Sequence, residues 1–197
     1  MLYLLTQKGR LSRAKAKELF QIVLRQSRNP YFYEMFGVPD TVEGRFEIVS
    51  LHGGLLVNRL CRPDMGREGK ILAQAFFDVM FKNIDWSMRE RGVGDLAVPR
   101  RIKKLMSDFK GRAFAYDESC RAGCSELTHA LARNVYAEGP KPSAETIKQF
   151  AQYIQSCVTE LEKQGLSDFW RGIAHFPVPV IPSNNNQNGT NNATQAA

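Results

Sequence analysis

Apolar positions recur along this chain with the three- and four-residue spacing of buried helical faces, and no segment alternates as a strand would. Val42, Phe46, Val49, Gly53, Leu56 and Leu60 step by 4, 3, 4, 3 and 4, which predicts a helix with one continuous buried stripe. Ile147, Phe150, Ile154, Cys157 and Leu161 repeat the alternation behind Ser143, Glu145 and Thr146, a helix-start signal, so Cys157 reads as core. Over residues 67–91 the apolar set Leu72, Phe76, Phe77, Val79, Met80, Phe81 and Ile84 falls on several sides, which marks that helix as the central one. After a Gly92-to-Asp95 break, a further helix is expected from Pro99, with Ile102, Leu105, Met106, Phe109 and Ala113 on one face. At the other end Ser12 reads as the cap of a helix running to about Gln26, with Ala16, Leu19, Phe20 and Val23 inward. Asn29-Pro30 stops it, the aromatic run Tyr31, Phe32, Tyr33 and Phe36 follows, and Gly37 to Asp40 is a turn.

These elements predict an all-α fold: a single compact multi-helix domain over residues 1–182, with a disordered Asn-rich tail over 183–197. Residues 176–182 are extended and proline-punctuated, and from Ser183 the chain is polar and uncharged. At 197 residues and 43% hydrophobic content, one core forms without a disulfide or metal, since a chain of this size buries roughly 70% of its unfolded surface.

Charge narrows the partners. Lys and Arg number 27 against 20 Asp and Glu, a net +7, which favours acidic partners. The apolar start Met1 to Leu5 ends at Thr6, too short for a signal peptide, and no Arg- and Ser-rich transit extension precedes the domain. No run reaches the roughly 18 apolar residues of a membrane span. The expectation is a bacterial cytoplasmic protein, at most peripheral at the inner membrane face. Six basic residues, Arg100, Arg101, Lys103, Lys104, Lys110 and Arg112, stand against Asp108 alone in thirteen positions, largely opposite the Ile102, Leu105 and Phe109 face. This ridge fits rRNA or anionic lipid headgroups, and a plain solvated face is the competing reading. Lys8, Arg10, Arg13, Lys15, Lys17, Arg25 and Arg28 form a second basic set that could converge with it. No pattern for reading DNA or RNA sequence accompanies either set.

Catalytic chemistry is not legible. Gly66 to Lys70 would need Gly at Asp64 and a hydroxyl at Ile71 to be a phosphate loop, and Gly92-Val93-Gly94 lacks a dinucleotide site's third glycine. Cys61, Cys120, Cys124 and Cys157 read as reduced thiols; Cys120 and Cys124 would share a helix face, but His52, His129 and His175 complete no metal set. His52, beside the apolar stripe, reads as a structural histidine bonded to a carbonyl. Asp117 and Glu118, neighbours that point about 100° apart on a helix, read as capping, solvated or ion-paired groups. No catalytic residue, cofactor, metal or small-molecule substrate is expected.

Phe46 to Leu60 (FEIVSLHGGLLVNRL, containing His52 and Arg59), then Glu68, Gly69 and Lys70, then Tyr116, Asp117 and Glu118, resemble in order and spacing the ubiquinol-cytochrome c chaperone family. The likeness continues through Leu127 to Asn134 and the helix of Tyr153 and Leu161, covering roughly residues 15–165. It implies an all-helical, non-enzymatic assembly factor for cytochrome b and the bc1 complex, with nascent cytochrome b as client and no ATP cycle. Mitochondrial members also associate with the ribosome. The missing targeting extension, and Phe46 near where many members have tryptophan, mark a bacterial relative. The alternative is a general ribosome- or RNA-binding protein acting through the basic helical face.

Overall fold

A computed structural model describes residues 7–137 and 141–179, and all regular structure among them is helical. The order is α1 (Gln7–Ser27), α2 (Tyr31–Glu34), α3 (Val42–Leu60), a 3-10 turn (Pro63–Met65), α4 (Gly66–Glu90), α5 (Val98–Ala122), α6 (Cys124–Asn134), α7 (Ala144–Glu162) and α8 (Leu166–Trp170). Residues 183–197, expected as a tail, lie outside the described residues.

The helix starts follow local chemistry where it is explicit. Thr41 caps α3, its hydroxyl accepting from the Gly44 N–H at 3.0 Å, and Ser143 caps α7 by accepting from the Thr146 N–H at 3.1 Å. Pro99 sits in the first turn of α5. Ser12 is not a cap: α1 already includes Gln7, and the buried Ser12 hydroxyl donates to the Gly9 carbonyl at 3.1 Å. A hydroxyl on a buried helix face satisfies itself on the preceding turn, which propensity alone does not distinguish from a cap.

The hub is α3, not the 67–91 segment. It packs against α1, α4, α5 and α7, and Leu51 through Leu56, together with Arg59 and Leu60, are buried. The expected stripe is displaced: Val42 is 61% exposed, and Phe46 and Val49 are half-buried. A helix enclosed on four sides has no wet face in its middle, so stripe spacing cannot locate its core. The close approach of α5 depends on Gly54, where an added Cβ would lie 3.1 Å from the Ala113 Cβ and 3.2 Å from its Cα.

Helix α4 runs against α1, α3 and α5, burying Leu72, Phe76, Val79 and Met80. Beyond α5 the chain breaks at Gly123, whose φ of 116° is costly for any residue with a side chain. Cys120 therefore ends one helix and Cys124 begins the next, so they do not share a helix face. Helix α6 returns against α5, and α7 packs on α6 and α3. Helix α8 and the extended arm 173–179 close back on α1, where Gln26 donates to the Pro177 carbonyl at 2.8 Å. Just after α2, Phe36 stacks on Phe150 of α7 at 4.7 Å between centroids, and Phe32 of α2 meets His52 of α3 edge-on at 5.2 Å.

Candidate functional site

Helix α3 carries two polar centres through the apolar interior. The first is His52, fully buried, whose Nδ1 lies 2.8 Å from the Ile48 carbonyl and whose Nε2 lies 2.8 Å from the Tyr153 hydroxyl. A carbonyl only accepts, so Nδ1 carries the proton and Tyr153 donates to Nε2. Gln26 in turn donates to the Tyr153 oxygen at 2.8 Å. Burial pushes the His52 pKa down to about 4 against the opposing Ile48 bond, so the ring is neutral at pH 7. Burial likewise raises the Tyr153 pKa far above the usual phenol value. The chain of bonds joins α1, α3, α7 and the C-terminal arm, and His52 and Tyr153 at its centre are buried, which suits positioning rather than acid-base exchange.

The second centre opens to solvent. The C-terminal half of α3, the end of α5 and the end of α7 enclose a groove of about 420 Å³. Arg59 forms its floor. Its Nη1 grips both oxygens of Asp64 at 3.0 and 2.8 Å, its Nε donates to the Leu161 carbonyl at 3.0 Å, and its Nη2 to the Gln164 carbonyl at 3.0 Å. Carbonyls at a helix C-terminus lack intrahelical donors, so this guanidinium completes the end of α7. Its hydrogen bonds hold the Asp64 carboxyl below the usual carboxylate range. On the groove wall Asp117 bridges Arg62, at 2.8 Å, and Arg121. Leu55, Val158 and Leu161 supply the apolar lining. Cys120 also faces the groove, but burial, reinforced by Asp117, pushes its thiol up to about 11, which keeps it protonated and poorly nucleophilic. A groove with paired charges beside an apolar lining can bind a segment of another chain; it assembles no nucleophile and base.

The remaining residues singled out in the sequence disperse. Glu68 pairs with Lys8, tying α4 to α1. Gly69 lets α4 abut the end of α3, since a Cβ there would lie 2.3 Å from the Leu60 carbonyl oxygen. Lys70 lies on the rim of a second, mainly apolar groove between α1 and α4. Tyr116 is buried, and its hydroxyl, facing Asn134, makes no hydrogen bond of normal geometry. Glu118 is exposed. The basic ridge splits. Arg100, Arg101, Lys103 and Lys104 are exposed, with Lys104 paired to Asp108 at 2.7 Å. Lys110 lies over the Phe77 ring at 5.3 Å. Arg112 is not on the ridge: it turns inward and pairs with Glu47, whose pKa burial raises despite that partner. The N-terminal basic residues from Lys8 to Arg25 ride on α1, which packs on α3, α4 and α8, with Lys8 paired to Glu68 and Lys15 to Glu18, and Arg28 follows its end. Among the described residues, no group of three or more His, Cys, Asp and Glu is gathered to hold a metal.

Sequence reasoning singled out Arg59 only as part of a motif; its role depends on the backbone of α7, about a hundred residues away, which no local pattern reports. Gln26 and Gln164 were missed for the same reason. Gln164 accepts from the His175 N–H at 2.8 Å and donates to the His175 carbonyl at 3.0 Å.

Comparison with known proteins places this arrangement. A solved structure described as the Cbp3 homolog from Brucella abortus superposes with a TM-score of 0.74 and 31% identity, covering 89% of this chain and 96% of that one. The protein named CBP3, mitochondrial, of Saccharomyces cerevisiae is 26% identical over 154 residues, 77% of this chain and 45% of that protein. The ubiquinol-cytochrome-c reductase complex assembly factor 1 of Xenopus laevis is 24% identical over 104 residues, 53% of this chain and 51% of that protein. The chain thus spans about half the length of the curated relatives it matches. A family model described as Ubiquinol-cytochrome C chaperone matches residues 34–176, which takes in α3, the His52–Tyr153 pair, Arg59 and the groove. The chain belongs to the ubiquinol-cytochrome C chaperone family.

Proposed function

We propose that this chain is a non-enzymatic assembly factor that receives newly made cytochrome b on its way into the ubiquinol-cytochrome c reductase complex. The observation that carries this reading is the family match across residues 34–176, joined to a relative named for assembly of that complex. The groove between α3, α5 and α7 is the client surface: it is open, lined in part by Leu55, Val158 and Leu161, and bordered by the Arg62, Asp117 and Arg121 pairs. A client of apolar helices with polar ends suits both parts. No helix among the described residues is long and apolar enough to cross a membrane. In this reading the chain meets its client at the cytoplasmic membrane face, with the exposed Arg100, Arg101, Lys103 and Lys104 toward anionic headgroups.

The deciding experiment compares haem-containing cytochrome b in membranes of a strain lacking this chain, its parent and a complemented strain. Loss of cytochrome b, with other respiratory complexes retained and restored on complementation, is the expected result. Normal cytochrome b without the chain would overturn the reading.

A further inference from the structure

The α4–α5 end of the bundle carries the most exposed large apolar side chain among the described residues. Leu96 is 98% exposed, and Trp86 on the last turns of α4 is 61% exposed. Neither belongs to the groove described above. Their presentation is fixed rather than loose. Arg89 donates from Nε to Asp85 at 2.8 Å and from Nη1 to Asp95 at 2.6 Å, which fastens the connection to the same stretch of α4 that bears Trp86. The Gly94 carbonyl accepts from the Ala97 N–H at 2.8 Å and from the Val98 N–H at 3.3 Å, closing a tight turn with Leu96 at its crest. Val98, two residues on, is fully buried and roots that turn in the domain.

Around this pair the charge is one-sided. Residues 82–104 hold seven Lys and Arg against three Asp and Glu. Arg89 satisfies two of those acids, Asp85 and Asp95, and Arg100, Arg101 and Lys103 have no ion pair among the described residues. A leucine held fully in water is unfavourable and gains nothing from RNA, whose contacts are phosphates and stacked bases. It gains when it enters hydrocarbon, while a tryptophan on the adjoining end of α4 settles at the headgroup level and cations meet lipid phosphates.

We infer that the α4–α5 tip is a membrane anchor: Leu96 inserts into an anionic bilayer, Trp86 lies at its interface, and Arg100, Arg101 and Lys103 bind headgroup phosphates. This deepens the peripheral-membrane part of the proposed function and rests on it. It also fixes the orientation of the molecule, because α4 and α5 then rise from the bilayer with the tip as their foot.

The test is flotation of the full chain with vesicles of phosphatidylcholine alone or of equimolar phosphatidylcholine and phosphatidylglycerol, with tryptophan emission read in parallel. Binding is expected to the anionic vesicles only, with a blue shift that Trp86→Phe removes while Trp170 remains as an internal reference. Leu96→Asp should weaken vesicle affinity roughly 30-fold. Neutralising Arg100, Arg101 and Lys103 to Gln should weaken it about fivefold for each charge removed. Thermal melts of the variants should match the parent, and Leu96→Ser serves in place of Leu96→Asp if that melt drops. Absence of flotation with anionic vesicles would overturn the inference. So would flotation indifferent to Leu96 and lacking the blue shift, which is adsorption by charge alone. Binding to ribosomal RNA that falls with Leu96→Asp in the same proportion would reassign the surface to RNA. The vesicle assay contains no cytochrome b, so the anchor and the client reading can fail separately.

Discussion

The guanidinium of Arg59 closes the C-terminus of a helix other than its own, donating from Nε to the Leu161 carbonyl at 3.0 Å. One side chain thereby couples the hub helix α3 to the last turn of α7, at the floor of the groove assigned to the client. Replacing it removes the side-chain donor from the Gln164 carbonyl and leaves the Leu161 carbonyl with only backbone donors such as the Gln164 N–H at 3.2 Å.

Arg59→Met should destabilise the domain by about 3 kcal/mol, read from the denaturant midpoint. Arg59→Lys should recover only part of this, because an ammonium cannot reproduce the fork that serves Asp64, Leu161 and Gln164 together. Equal stability of the Lys variant and the parent would show that charge, not geometry, matters there.

His52 makes stability depend on pH in a defined direction. Its pKa falls from 6.5 in the open chain to about 4 in the fold, so between these values the unfolded state takes up a proton that the folded state refuses. Stability should therefore decline as pH falls from 6.5 to 4 and be unaffected by this residue above that window, with a full loss of about 3 kcal/mol. His52→Gln should be less stable at pH 7 but flatter across the window. Urea titrations at several pH values compare the two slopes, and identical slopes would remove His52 from the pH response.

The two halves of the basic helix α5 should respond differently. Arg112→Met leaves Glu47 buried without its partner and should cost about 3 kcal/mol at pH 7. The deficit should shrink as pH falls, because a Glu47 pKa already raised by burial rises further and protonation then relieves the carboxylate. Arg100→Gln, on the exposed half, should leave the melt unchanged.

Gly54→Val should force α3 and α5 apart and destabilise by about 2 kcal/mol, since its Cβ would begin only 3.1 Å from that of Ala113. Ala113→Gly should restore part of this in the double variant, a coupling that calorimetry on the four-member cycle can measure.

The sequence disclosed helices better than their arrangement. Ile147, Phe150, Ile154, Cys157 and Leu161 are all buried on α7, because that helix lies on the bundle's surface and keeps one wet face. Helix α3 has no such face, so its periodic Val42 and Phe46 misled while Gly54, where α5 comes close, carried no apolar signal. Arg112 looked like its exposed neighbours because the acid that draws it inward, Glu47, belongs to another helix. Helices α2 and α8 are too short for periodicity to register. The groove was invisible for a related reason: Arg62, Asp117 and Val158 meet only when three helices are in place.

The C-terminal arm gives the domain a temporal order. Gln26 and the Pro177 carbonyl it binds are separated by 151 positions. On a chain made from its N-terminus, the first helix emerges long before the residue that completes its polar contacts. The network around His52 and Tyr153 is therefore sealed only when the arm arrives. By this one hydrogen bond the domain is finished late.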